Sequence, residues 1–162
     1  MKAQFLICMS CAVMALPSFA QPQDEPLFQC QFGSGKEVTL RTSAQGMSYV
    51  FGRPNAKPEL FLLRKYDEIG VTPWNGVGGS IWEVIEFRNA DVTYRIWGNF
   101  DRMTEAHEIT GGIMVERGKE DLARLECLPG SATYAPFSFS DAYEAAGYCW
   151  SFDDSQWQEQ CE

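Results

Sequence analysis

The side chains that could do chemistry are one histidine, a surplus of carboxylates, a set of cysteines and a glycine-rich loop between two tryptophans. His107 stands next to Glu108, and such a pair could act as acid and base. General acid–base catalysis needs both groups within about 2.6–3.2 Å of the proton they move. Neighbours on a polar loop seldom aim at one substrate, so no catalysis is expected there. The chain has no Gly-x-Ser-x-Gly elbow, the turn that presents a nucleophilic serine. Carboxylates are numerous enough that a glycosidase-like pair could be drawn from many positions, and number alone specifies none. Metal sites built on cysteine need paired C-x-x-C spacing or several histidines; Cys8 and Cys11 fall in the expected signal, the other four cysteines are widely spaced, and His107 is the one histidine. Asp153-Asp154 lacks the alternating oxygens and terminal glutamate of a calcium loop. The expectation is a protein that is not an enzyme and uses no cofactor or metal.

The loop Trp74-Asn75-Gly76-Val77-Gly78-Gly79-Ser80 is more informative, with Trp82 two residues beyond it. Its glycines permit positive φ and close backbone approach. It lacks the full Gly-x-Gly-x-x-Gly spacing and leads into a strand, which argues against a phosphate cradle. Two tryptophans bordering a glycine loop make a rigid, amphipathic contact surface of the kind found at binding hot spots. The competing reading is a tight connection with both indoles folded inward, as tryptophan's high average burial favours. Trp74, Asn75, Gly78, Gly79, Ser80 and Trp82 are the candidate binding residues.

Strands must carry that loop. In Ser80–Arg88, Ile81, Glu83, Ile85 and Phe87 alternate with Trp82, Val84 and Glu86, and Val92–Trp97 alternates in the same way. Period two with β-branched and aromatic residues predicts a hairpin. Asn89-Ala90 is its expected turn, because Asn tolerates positive φ. A two-residue turn there pairs Phe87 with Val92, Ile85 with Tyr94 and Trp82 with Trp97. The Trp82, Val84 and Trp97 face is too apolar to be fully wet, so the tail or a partner should cover it. Further strands are expected at Leu27–Phe32, Lys36–Thr42, Met47–Phe51 and Glu59–Arg64, the last central or covered because it is apolar on both faces. Asn99–Thr110 reads as a long loop. Gly112–Arg117 and Glu120–Cys127 form a closing hairpin about Gly118-Lys119. Val115, Leu122 and Leu125 are its expected core residues, which requires a bulge or a covered second face. The predicted fold is all-β, a small antiparallel β-barrel or sandwich over residues 27–128. Residues 129–162 form an aromatic, acidic tail packed on it. Ser138-Phe139-Ser140-Asp141 resembles a capping box opening a short helix near Asp141–Ala146, and Gly147 should stop it.

Residues 1–20 read as a secretory signal: Lys2, an apolar run Phe5–Leu16 and a Ser18-Phe19-Ala20 cleavage site. Met9-Ser10-Cys11 echoes a lipoprotein site only faintly, and stable membrane insertion is not expected. The mature chain keeps Cys30, Cys127, Cys149 and Cys161. An even number in an exported chain implies two disulfides. Three pairings are possible; the preferred one joins Cys30 to Cys127 across the body and Cys149 to Cys161 in the tail. Without Lys2, 12 basic residues face 22 acidic ones, a net charge of −10. That excess argues against nucleic acid and anionic lipid as partners and favours a cationic or neutral one. The acidity is concentrated late in the chain, since no Lys or Arg follows Arg124.

Phe28-Gln29-Cys30 and Leu125-Glu126-Cys127 frame the body as an aromatic-x-Cys opening strand and a hydrophobic-x-Cys closing strand, and Gly79 and Trp82 sit in the loop between. In this layout Phe28–Cys127 resembles the periplasmic and membrane-bound inhibitors of C-type lysozyme. In that family a Ser-Gly-x-x-Tyr loop enters the enzyme's cleft; here Gly78 stands at the serine position and Trp82 at the aromatic one. The resemblance implies a disulfide-closed β-barrel in the periplasm or secreted. It implies an inhibitor or immunity protein that occludes a basic cell-wall hydrolase with the Trp74–Trp82 loop. The alternative expectation is an envelope module that binds or supports an unknown ligand.

Overall fold

The computed structural model describes residues 25–159. The proposed signal segment, the Met9-Ser10-Cys11 site and Cys161 lie outside the described residues. Ten of the strands sort into two antiparallel sheets. The first comprises β1 (Phe28–Gln31), β2 (Glu37–Ser43), β3 (Gly46–Gly52) and β4 (Leu60–Arg64). The second comprises β5 (Gly70–Thr72), β6 (Ser80–Asn89), β7 (Val92–Asp101), β8 (Ile109–Arg117) and β9 (Glu120–Glu126). The short β10 (Thr133–Tyr134), from the tail, pairs with β1, so the first sheet runs β10-β1-β2-β3-β4 and the second β5-β6-β7-β8-β9. The sheets do not close on each other. Of the two expected all-β architectures, the chain is a sandwich.

Alternation decides what the sandwich buries. Val38 and Leu40 of β2 and Met47 and Tyr49 of β3 face Ile85 and Phe87 of β6 and Ile96 of β7, all nearly or fully buried. Each strand thus presents every second residue to one core. Two glycines let aromatic rings lie flat on the second sheet. A Cβ at Gly98 would lie 2.6 Å from the Tyr134 ring, and one at Gly111 2.7 Å from the Phe28 ring. The Cys30–Cys127 disulfide joins β1 to the residue after β9, tying one sheet to the other.

The central hairpin turns at Ala90-Asp91, not Asn89-Ala90; Asn89 pairs with Val92 and Ala90 takes φ +54°. Phe87 therefore faces Tyr94, Ile85 faces Ile96 and Val84 faces Trp97, while Trp82 faces Asn99. The shift keeps every residue on its expected face. It sets large apolar side chains opposite one another, and that gain outweighs the turn preference of a single asparagine. Three further expectations are corrected. β4 is an edge strand with Phe61 58% exposed, because among the described residues no element covers its second apolar face. β7 and β8 extend well into the supposed loop Asn99–Thr110, pairing Asn99 with Thr110 and Phe100 with Ile109. Leu122 is exposed, not core: the β8–β9 register slips between Val115 and Glu116, so Leu122 is the extra residue of a bulge.

The tail crosses the open side of the sandwich. Helix α1 (Ser138–Ala145) starts three residues before the expected position, and its N-cap is Phe137, whose side chain cannot accept a hydrogen bond. Glu83, fully buried on β6, supplies the cap from another element. Its carboxylate accepts from the Phe139 N–H (3.1 Å), the Ser140 N–H (2.9 Å), the Tyr134 hydroxyl (2.9 Å) and the Ser140 hydroxyl. Gly147, at φ +95°, ends the helix as expected. A two-stranded hairpin follows, β11 (Cys149–Ser151) and β12 (Gln156–Gln158). Cys149 is disulfide-bonded.

Burial holds the Tyr49, Tyr134 and Tyr143 hydroxyls well above the ordinary tyrosine range, with the Tyr94 hydroxyl adding to Tyr49 and the Glu83 charge adding to Tyr134. Raised folded-state values mean that the unfolded chain releases these protons first. Stability is therefore complete below about pH 10 and falls as pH climbs beyond it. In an alkaline titration, tyrosinate absorbance from these three rings is expected to appear together with loss of the β-sheet circular dichroism. Full tyrosinate absorbance with the sheet signal intact would contradict their burial.

Candidate functional site: an aromatic groove between the second sheet and the tail

Edge strand β5 exposes backbone groups that another element can use. The Trp157 indole N–H donates to the Val71 carbonyl (2.9 Å), hanging the β11–β12 hairpin on that edge. The Tyr143 hydroxyl is shared between the carbonyls of Tyr66 (2.7 Å) and Ile69 (2.5 Å), which fastens α1 to the turn before β5. Between these two attachments lies a groove of about 710 Å³, within the range of roughly 300–1,000 Å³ typical of small-molecule sites.

Its walls are aromatic. Trp74 and Trp82 come from the second sheet and its loop, Trp150 and Trp157 from the hairpin, and Tyr66 and Tyr148 close one end. Four of the five tryptophans in the chain line this one surface. The rings meet at steep angles: 64° between Trp150 and Trp157 at 5.4 Å, and 84° between Tyr66 and Tyr143 at 5.6 Å. Asp67 and Glu159 are the charged residues of the lining, which includes no Lys or Arg among the described residues. Both carboxylates bear on the Tyr148 hydroxyl, which is raised first by burial and then by Glu159 and Asp67.

The candidate loop divides in two. Trp74, Asn75 and Trp82 reach the groove. Gly78, Gly79 and Ser80 do not; Gly78 and Gly79 form the arm that returns the chain to β6, which opens at Ser80. The arm is held in shape locally. The Trp74 indole N–H donates to the Val77 carbonyl (3.0 Å), the Val77 N–H to Asn75 Oδ1 (3.2 Å) and the Arg102 N–H to the Gly79 carbonyl (3.1 Å). Gly76 and Gly78 take φ of +83° and +108°, which glycine adopts without strain. Val77 at the tip is 72% exposed, and Met103, packed on Gly79, is 74% exposed. Sequence reasoning places none of Tyr148, Trp150 and Trp157 in the site. The available signal is the aromatic density of a tail too short to bury its rings alone.

His107 serves its own loop. Its ring stacks on Phe100 at 5.2 Å, with Nδ1 3.1 Å from the Asp101 carbonyl. The Asp101 carboxyl is held below its ordinary value, chiefly by the Thr104 hydroxyl and also by the Met103 N–H, which it accepts as hydrogen bonds. Asp154 accepts from Ser151 and Gln158 inside the hairpin. Among the described residues no three His, Cys, Asp or Glu side chains gather in a metal-binding arrangement. The chain matches no protein-family model, no curated protein and no solved structure.

Proposed function

We propose that this is an exported binding protein, without catalytic chemistry of its own, that takes a small ligand in the aromatic groove. The observation that carries this reading is the convergence of four tryptophans from three separate segments on one open surface. Each of the four is part-buried, so each keeps some ring surface open along the groove. The Cys30–Cys127 disulfide supports an oxidising compartment, periplasmic or extracellular. A second reading, inhibition or immunity against a basic cell-wall hydrolase, draws on the exposed Val77 and Met103 at the loop tip and on the acidic charge.

One experiment with two arms separates them. In the first, tryptophan emission of the disulfide-bonded chain is followed against a panel of small ammonium compounds, saccharides, amino acids and short peptides. At least one class should shift the emission saturably. Trp82→Ala and Trp150→Ala should each weaken that binding by roughly tenfold or more, the loss of a hot-spot ring, with the fold retained. No response across the panel, or a response indifferent to both variants, removes the groove as the site. In the second arm, a panel of lysozymes is assayed with the protein in excess. Undiminished lytic activity removes the inhibitor reading.

A further inference from the structure

Resting on the groove as the binding site, we propose that its ligand carries an organic cation, a quaternary or alkylammonium head seated among the ring faces beside Asp67 and Glu159. Aromatic faces carry negative electrostatic potential and attract such cations. The lining adds two carboxylates and no cationic side chain among the described residues, so the charge it complements is positive.

Ring geometry argues in the same direction. A chain of saccharides stacks on flat platforms and asks for rings lying nearly parallel. Here the two accessible indoles of the hairpin, Trp150 and Trp157, stand at 64° to each other. Steeply inclined faces make the sides of a box, which suits a compact, rounded head group. The Trp74 ring already holds a cation of the protein itself, the Arg102 guanidinium 5.3 Å from its centre, so the ligand's cation is placed toward Trp82, Trp150 and Trp157. The volume of about 710 Å³ exceeds what an ammonium head alone would fill, so the cation is one end of a larger small molecule.

Choline and 3,3-dimethylbutan-1-ol test the idea, because they share a shape and differ in charge. Each is titrated into the full disulfide-bonded chain at fixed ionic strength, with tryptophan emission as readout. Choline should bind saturably and the alcohol at least roughly tenfold more weakly. The double variant Asp67→Asn, Glu159→Gln, at two exposed positions, should lose choline affinity by about tenfold while leaving the alcohol and the melting temperature unchanged. Equal binding of the two probes overturns the cation. So does binding of an uncharged chito-oligosaccharide in place of choline, although the groove then stands as a binding site. Choline binding that persists unchanged in Trp150→Ala places the cation elsewhere and also overturns the proposal. Silence from choline, alcohol and saccharide alike overturns it as well.

Discussion

Replacing Glu83 with alanine is expected to lower the unfolding free energy by about 3–5 kcal/mol, the cost of removing one partner from a buried charged network. The side chain is fully buried, and four donors aim at its two oxygens: two backbone N–H groups of α1 and the hydroxyls of Tyr134 and Ser140. The first N–H groups of a helix have no partner inside it, and Phe137 at the N-cap offers none. Alanine would therefore strand four donors in an apolar interior at once. Glutamine is an informative intermediate. Its amide keeps one acceptor oxygen but turns two N–H groups towards existing donors, so a loss of roughly 1–3 kcal/mol is expected. Urea denaturation measures both. A change under about 1 kcal/mol for Glu83→Ala would mean that water or a rearranged helix satisfies those donors. The effect should reach the site, since Trp82 and Glu83 are consecutive on β6 and point to opposite faces. Losing the cap frees α1, and Tyr143 with it, from one end of the groove, so the variant's tryptophan emission should shift to the red.

The central hairpin, the closing hairpin about Gly118-Lys119 and the Cys30–Cys127 bridge were legible because each has a local signature: alternation, a glycine turn, a cysteine at each end of the body. Other features depended on partners distant in the chain. Phe61 and Leu63 look central on β4 by composition, yet strand order leaves them at an edge, and composition cannot report strand order. Glu83 interrupts an apolar face and reads in sequence as an exception. Its reason lies 56 and 57 residues away, in the Phe139 and Ser140 N–H groups. The groove follows the same pattern. Trp74 and Trp82 carry a visible signal because glycines separate them, whereas Trp150 and Trp157 acquire their role only when Trp157 finds the Val71 carbonyl across 86 residues. A local pattern fixes which face a side chain occupies, but not which segment comes to lie against that face.

Converting Cys30 and Cys127 together to alanine is expected to cost about 4–5 kcal/mol, with most of the effect arising in the unfolded chain. The bridge closes a separation of 97 residues, and loop-closure entropy for about 100 residues is worth roughly 4.7 kcal/mol. The native junction has supports of its own. The Leu128 N–H donates to the Gln31 carbonyl (2.8 Å), the Cys127 N–H to the Gly111 carbonyl (3.0 Å), and the Ser131 hydroxyl lies within hydrogen-bonding distance of the Gln31 backbone. These contacts survive the substitution, so the two sheets should still meet at this corner and the folded spectra should barely change. The two possible origins of the loss differ in the denaturant slope. A freed unfolded chain exposes more surface and raises the m-value, whereas a damaged native state lowers it. A lower urea midpoint with a steeper slope is the expected result. A loss below about 1 kcal/mol would show that the backbone bonds at the corner already restrict the unfolded chain. Set against a total stability of about 5–15 kcal/mol, a loss of the expected size leaves little margin. The double variant should therefore unfold at lower urea than the oxidised chain, and the groove hung on the sandwich edge should be lost in the same transition.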